Sequence, residues 1–212
     1  MKILRIPFRI ATITNPHFYN TMKVRLFLFV SCLLSFFCSR AQDVALKTNL
    51  LSDAMANVNA AVEIGLNPKW TLDLTGDYNG WTIKGHKWKH WIAQPEARYW
   101  FCNRFAGHFL GFHAVGGQFN VGNIDLNVKF LGSDFGKLAN NRYEGWGVGA
   151  GIAYGYDWIL DKHWNLEAEI GIGYVYLNYN KYKCEECGSK IGKDHHNYFG
   201  PTKAAINLVY LF

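Results

Sequence analysis

The densest group of metal- and redox-capable side chains lies near the C-terminus: Cys184-Glu-Glu-Cys187, then His195-His196. Two thiolates and two imidazoles can make a tetrahedral zinc site. Adjacent histidines, however, lack the separation that zinc ligands usually keep. In an oxidising compartment the same cysteines can close a disulfide, Cys184–Cys187, although a two-residue spacing makes a tight ring. Free thiols are the third state. The disulfide is favoured, and Cys184, Cys187, His195 and His196 remain weak candidates for a metal. Cys102 stands alone in a turn, which argues that thiol chemistry is not central.

Two other groupings could do chemistry. Ser189, Asp194, His195, His196 and His86 contain the parts of a nucleophile–base pair, as a lipid A-modifying enzyme would need at a barrel rim. No nucleophile motif frames them, so neither catalysis nor a cofactor is expected. Trp81 to Trp91 interleaves tryptophan with lysine and histidine, in the manner of a base-stacking surface. Interfacial aromatics with snorkelling cations at the lipopolysaccharide headgroups explain that stretch better. Carbohydrate stacking is the weaker alternative.

Charge decides against nucleic acid. Residues 1–41 hold six basic residues and no acidic one, so 22 basic and 16 acidic residues become 16 and 16 once that segment is removed. Its removal is expected. Met22-Lys-Val-Arg25 precedes an apolar run from Leu26 to Cys38, and Ser39-Arg40-Ala41 supplies small residues for cleavage. Residues 22–41 thus read as a signal peptide, 1–21 as a non-native extension upstream of the true start, and 42–212 as the mature domain. The apolar run is well short of the ~20 residues that span a bilayer as a helix.

The mature segment carries a period of two. Val62, Ile64 and Leu66 alternate with Ala61, Glu63 and Gly65, and Asn67-Pro68-Lys69 turns the chain into Trp70, Leu72, Leu74 and Tyr78. Trp146 to Trp158 and Trp164 to Tyr176 repeat the pattern around Leu160-Asp161-Lys162-His163. A less regular pair covers about 90–101 and 108–118, a first strand lies near 43–51, and the chain ends on Ala204 to Phe212. Eight strands result. Connections after the second, fourth and sixth are tight, whereas 79–89, 119–144 and 177–200 are expected as long outer loops.

The apolar face has aromatics at its ends: Trp70 and Tyr78, Trp146 and Trp158, Trp164 and Tyr176. The other face is polar or very small, and Lys47, Glu63, Asp73, Glu96, Arg98, Glu167, Glu169 and Lys203 are expected to form an interior salt-bridged network. A lipocalin-like periplasmic binder would show the inverse pattern. The expected fold is therefore all-β, an eight-stranded antiparallel transmembrane β-barrel of the small outer-membrane kind, with a polar, plugged interior. Tyr210 and Phe212 read as the terminal signal to the barrel-insertion machinery.

KTNLLSDA (47–54), NPKWTLDLTGDYNGW (67–81), KWKHWIAQPEARYW (87–100), RYEGWGVGAGIAYGYDWIL (142–160), CEECG (184–188) and NYFGPTKAAINLVYLF (197–212) resemble motifs of a domain family of unknown function. That family occurs in Gram-negative gut and oral anaerobes, and its members are expected to be outer-membrane β-barrels. The resemblance covers nearly all of 43–212 and implies no catalytic residues. Some members are encoded near fimbrial genes, which implies a surface-fibre or other extracellular protein partner. The combined expectation is a monomer exported to the outer membrane of a Gram-negative bacterium. It would contact lipid and lipopolysaccharide, bind no nucleic acid, and serve a structural or surface-interaction role.

Overall fold

The computed structural model describes residues 43–83, 86–122, 129–130, 133–134, 141–183 and 188–212. The expected signal peptide (22–41), the extension before it, and Cys184 and Cys187 lie outside the described residues.

Eight strands form one meander: β1 Val44–Asn49, β2 Val58–Gly65, β3 Trp70–Asn79, β4 His86–Trp100, β5 Gly107–Gly122, β6 Arg142–Ile159, β7 Trp164–Tyr182 and β8 Lys190–Leu211. Each pairs antiparallel with its sequence neighbours, and β8 pairs with β1 to close the ring. Closure runs from Ala45↔Leu211 to Asn49↔Asn207. The last residue is part of the seam, because the Phe212 amide donates to Val44 O at 3.2 Å. Tyr210 packs edge-on against Trp164 and Phe212, with ring centroids 5.0 and 5.2 Å apart. No helix among the described residues is long and apolar enough to cross a membrane.

Turns at the lower end, where both strand termini meet, are short. Asn67 Oδ1 accepts from the amides of Lys69 and Trp70, both at 2.9 Å, as expected of an Asx turn. The 101–106 turn carries Phe105 at a φ of 60°, a left-handed conformation that costs a bulky residue energy. Phe105 is buried against Trp100, together with Phe109, Val209 and Ala45. These five residues make an apolar plug at the base of the ring.

The upper end departs from expectation in two ways. The first strand stops at Asn49, and a short helix, α1 (Leu50–Ala54), follows; the Asn49 side chain caps it by accepting from the Leu51 amide at 3.1 Å. The expected outer loops also shrink, because β4 begins at His86, β5 continues to Gly122, β7 to Tyr182, and β8 starts at Lys190. Alternation in these extensions is short or absent, while backbone pairing persists. Arg142 stacks on Tyr182 at 4.2 Å and Tyr143 meets Tyr179 edge-on at 5.3 Å, which couples these extensions. Strands β4 to β8 therefore rise as a sheet above the short β1–β3 side.

Glycine on the inner wall makes room for the filling. At Gly111 a Cβ would come within 2.6 Å of the Glu96 carboxyl carbon, so only glycine fits there. A Cβ at Gly192, on the rising sheet, would meet nothing within 4 Å. Gly111→Ala is expected to lower stability by about 1–3 kcal/mol through overpacking. Gly192→Ala should leave the midpoint of urea unfolding in detergent nearly unchanged. Equal midpoints for the two variants would remove the steric account.

Candidate functional site

Alternation along β1, β2, β3, β4, β7 and β8 sends the eight expected network residues into the ring at one level, where each is buried. Arg98 is at the centre. Its Nε donates to Glu96 Oε1 at 2.6 Å, Nη1 to Glu63 Oε2 and Glu167 Oε2 at 2.8 Å each, and Nη2 to Glu169 Oε2 at 2.7 Å. A planar guanidinium with five donors can serve four carboxylates at once, which an ammonium cannot. Phe109 lies under it, with the ring centroid 4.5 Å from the guanidinium carbon. Lys47 bridges Glu63, Asp73 (3.2 Å) and Glu167 (2.9 Å), and Lys203 bridges Glu96 (2.9 Å) and Glu169 (3.2 Å).

Residues around the ions complete the shell. Asn207 Nδ2 donates to Glu167 Oε1 at 2.7 Å, Thr71 donates to Glu63, and Trp100 Nε1 donates to Thr71 Oγ1 at 2.9 Å. His113 and Gln94 reach Thr202 across the ring, at 2.8 Å to its hydroxyl and 2.9 Å to its carbonyl oxygen. Thr202 is the extra residue of a bulge in β8, where the register jumps from Gly171↔Lys203 to Ile172↔Pro201. His113, Thr71 and Asn207 were not among the expected network residues. Their chemistry is ordinary in sequence, and only cross-strand register reveals their part.

Acids exceed bases in this layer. Glu63, Asp73, Glu96, Asp157, Glu167 and Glu169 are buried against Lys47, Arg98 and Lys203. Asp157 is 2% exposed, and neither carboxylate oxygen has a hydrogen-bond partner among the described residues. With the apolar plug below and side chains filling the ion layer, the arrangement packs the interior of the ring.

His195 and His196 are consecutive in β8, so their side chains leave opposite faces of the strand. His195 stacks on Tyr176, with centroids 6.0 Å apart, and Ser189 precedes the strand. Among the described residues, no cluster of three or more His, Cys, Asp or Glu side chains could hold a metal. Cys102 is a free, exposed cysteine. On the outer surface, Tyr78, Trp91, Gln118 and Trp146 follow one another across β3 to β6 and line a shallow groove of about 550 Å³.

Substitutions at Arg98 and Asp157 separate the paired ions from the carboxyl that has no partner among the described residues. Arg98→Ala leaves several buried carboxylates without their cation and is expected to cost about 3–5 kcal/mol or to block folding. Arg98→Lys should recover only part of that. Asp157→Asn exchanges a buried carboxyl that has no hydrogen-bond partner among the described residues for an uncharged amide of similar shape, so it should keep or raise the unfolding midpoint at neutral pH. A larger loss from Asp157→Asn than from Arg98→Ala would refute this assignment of roles.

A family model described as "Protein of unknown function (DUF3575)" matches residues 26–212, all of the expected mature segment and part of the expected leader. No curated protein matches the chain. With its strands, its closing seam and its buried charge layer all inside the matched region, this chain belongs to the DUF3575 family of proteins of unknown function.

Proposed function

We propose that this protein is an outer-membrane β-barrel that holds a raised sheet at the cell surface and works by surface interaction, without catalysis. The observation that carries this is an inverted distribution of polarity. Ile170, Ile152 and Phe112 are 63%, 54% and 53% exposed on the outside, whereas Arg98, Glu63 and Glu167 are fully buried inside. In water this costs both ways: apolar surface stays hydrated and charges lose their hydration. In a bilayer the same outer face is solvated by hydrocarbon, and closure of β8 on β1 pairs the backbone groups along the seam.

The height of the apolar band agrees. Outward-facing Trp70 and Tyr78 bracket Leu72 and Leu74, and Trp158 and Trp146 bracket Tyr154, Ile152 and Val148. A tilted strand needs about 9–11 residues to cross the bilayer, and aromatic girdles mark both interfaces. The short turns and both strand termini then face the periplasm, with the raised sheet outside. Export through residues 22–41, recognition of Tyr210 and Phe212 by the insertion machinery, and contact of Lys87 and Lys89 with lipopolysaccharide belong to this reading. The family resemblance adds a link to surface fibres or another extracellular protein.

The test is heat-modifiability of the mature chain taken from an outer-membrane fraction. Unboiled sample should migrate apart from boiled sample, and trypsin added to intact cells should cut at Lys181 or Lys193 while sparing the lower turns. A soluble periplasmic protein with no mobility shift would reverse the reading in favour of a lipocalin-like binder. If deletion of the gene alters the mass spectrum of lipid A, the role is enzymatic instead.

A further inference from the structure

The two ends of the strand order do not match in height. On one side β8 pairs with β7 from Tyr182↔Lys190 down to Trp164↔Tyr210. On the other it pairs with β1 only from Asn49↔Asn207 downward. The Asn49 side chain covers two more groups, donating to Ala204 O at 3.3 Å and accepting from the Ile206 amide at 3.2 Å. Above that point, no strand among the described residues pairs with this side of β8.

The bulge at Thr202 decides which backbone groups are left over. Below it the even-numbered residues turn their amides and carbonyls toward β1, as the bonds at Ala204, Ile206 and Phe212 show. One extra residue reverses that parity, so Lys193, His195, Asn197 and Phe199 present theirs to the open edge. The His195 amide takes the neighbouring Asp194 Oδ1 as acceptor at 2.8 Å, a local substitute for a missing strand. Pro201, which has no amide to donate, sits on the same edge and ends the run above the seam.

We infer that the upper edge of β8, from Lys193 to Phe199, receives an extended acidic segment of an extracellular protein as an added antiparallel or parallel strand. This rests on the proposed outer-membrane orientation. Main-chain bonds would supply the docking, as in other strand-addition interfaces. Side chains supply the preference. The edge run itself, 190–199, carries Lys190 and Lys193 against the single acid Asp194, with His195 and His196 beside it, so acidic residues suit the upper positions. Phe199, 57% exposed beside the seam, suits an apolar residue at the lower end. A second copy of this chain would bring two basic tips together and is disfavoured by their repulsion.

The probe is a synthetic peptide of about ten residues alternating valine or threonine with glutamate, a typical strand length. Its binding to the detergent-solubilised full barrel is read by fluorescence anisotropy. The peptide should bind, and the same peptide with lysine for glutamate, or with proline at alternate positions, should bind at least about tenfold more weakly. Asn197→Pro removes an edge amide and no main-chain bond to β7, and should abolish binding; Asn197→Ala, which likewise loses the side-chain acceptor of the Tyr174 hydroxyl but keeps the edge amide, should bind as the parent does, and Lys193→Glu should weaken binding about tenfold. Heat-modifiability is measured on each variant to show an intact barrel. Equal binding by the proline-containing peptide, or undiminished binding to Asn197→Pro in a folded barrel, overturns strand addition. So does failure of the acidic peptide to bind, or a concentration-dependent dimer that excludes it. These outcomes are read in detergent, so they stand apart from a failure of the membrane assignment, which the fractionation decides.

Discussion

Arg98 sets the terms on which this ring can close. Eight strands leave an interior that only side chains can fill, and here the filling is ionic. A guanidinium whose donors reach Glu63, Glu96, Glu167 and Glu169 joins β2, β4 and β7 through one group. Lys47 and Lys203 extend the same layer to β1 and β8, the two strands that meet at the seam. The charge layer and the closing register therefore support one another. Removing a single cation is costly because several acids then lose their counter-charge in a place water does not reach.

That interior also governs the outside. Charges turned inward oblige the alternate residues to turn outward, and those are Leu, Ile, Val, Phe and Tyr along β3, β5, β6 and β7. Inner and outer faces are two halves of one alternation. Glycine on the inner wall belongs to the same solution: at Gly111 it admits Glu96, so the wall is thin where the filling is thick. The plug of Trp100, Phe105 and Phe109 then closes the base below the ions.

Above the seam the constraint relaxes. Strands β4 to β8 continue as a sheet held by backbone bonds and by contacts such as Arg142 on Tyr182. The bulge at Thr202 links the two regimes. It places a hydroxyl and a carbonyl inside the ring for His113 and Gln94, and by shifting parity it sets which amides of β8 face the open edge. A single extra residue thus serves the packing of the interior and the character of the surface above it.

Much of this was legible in the residues. The period of two from Val62 to Tyr78 and from Trp146 to Tyr176 specifies strands and faces, because alternation is a local property of the chain. Arg98, Lys47 and Lys203 set against so many inward carboxylates announced a salt-bridged interior, and the tight turns at 67–69 and 160–163 were marked by Asn, Pro and Asp. The rest depended on strands meeting. Helix α1 was hidden inside an apparent strand at 43–51, since capping by Asn49 and packing beside β8 outweigh five residues of local preference. The strand extension at 190–200 carries polar residues on both faces, and those at 119–122 and 177–182 keep only two clear alternating positions each, too short a run to read. The parts played by His113, Thr71 and Thr202 follow from the bulge and the cross-ring distances, which no spacing along the chain encodes. Which amides remain unpaired is likewise decided by where β1 stops against β8, a relation between residues more than 150 positions apart.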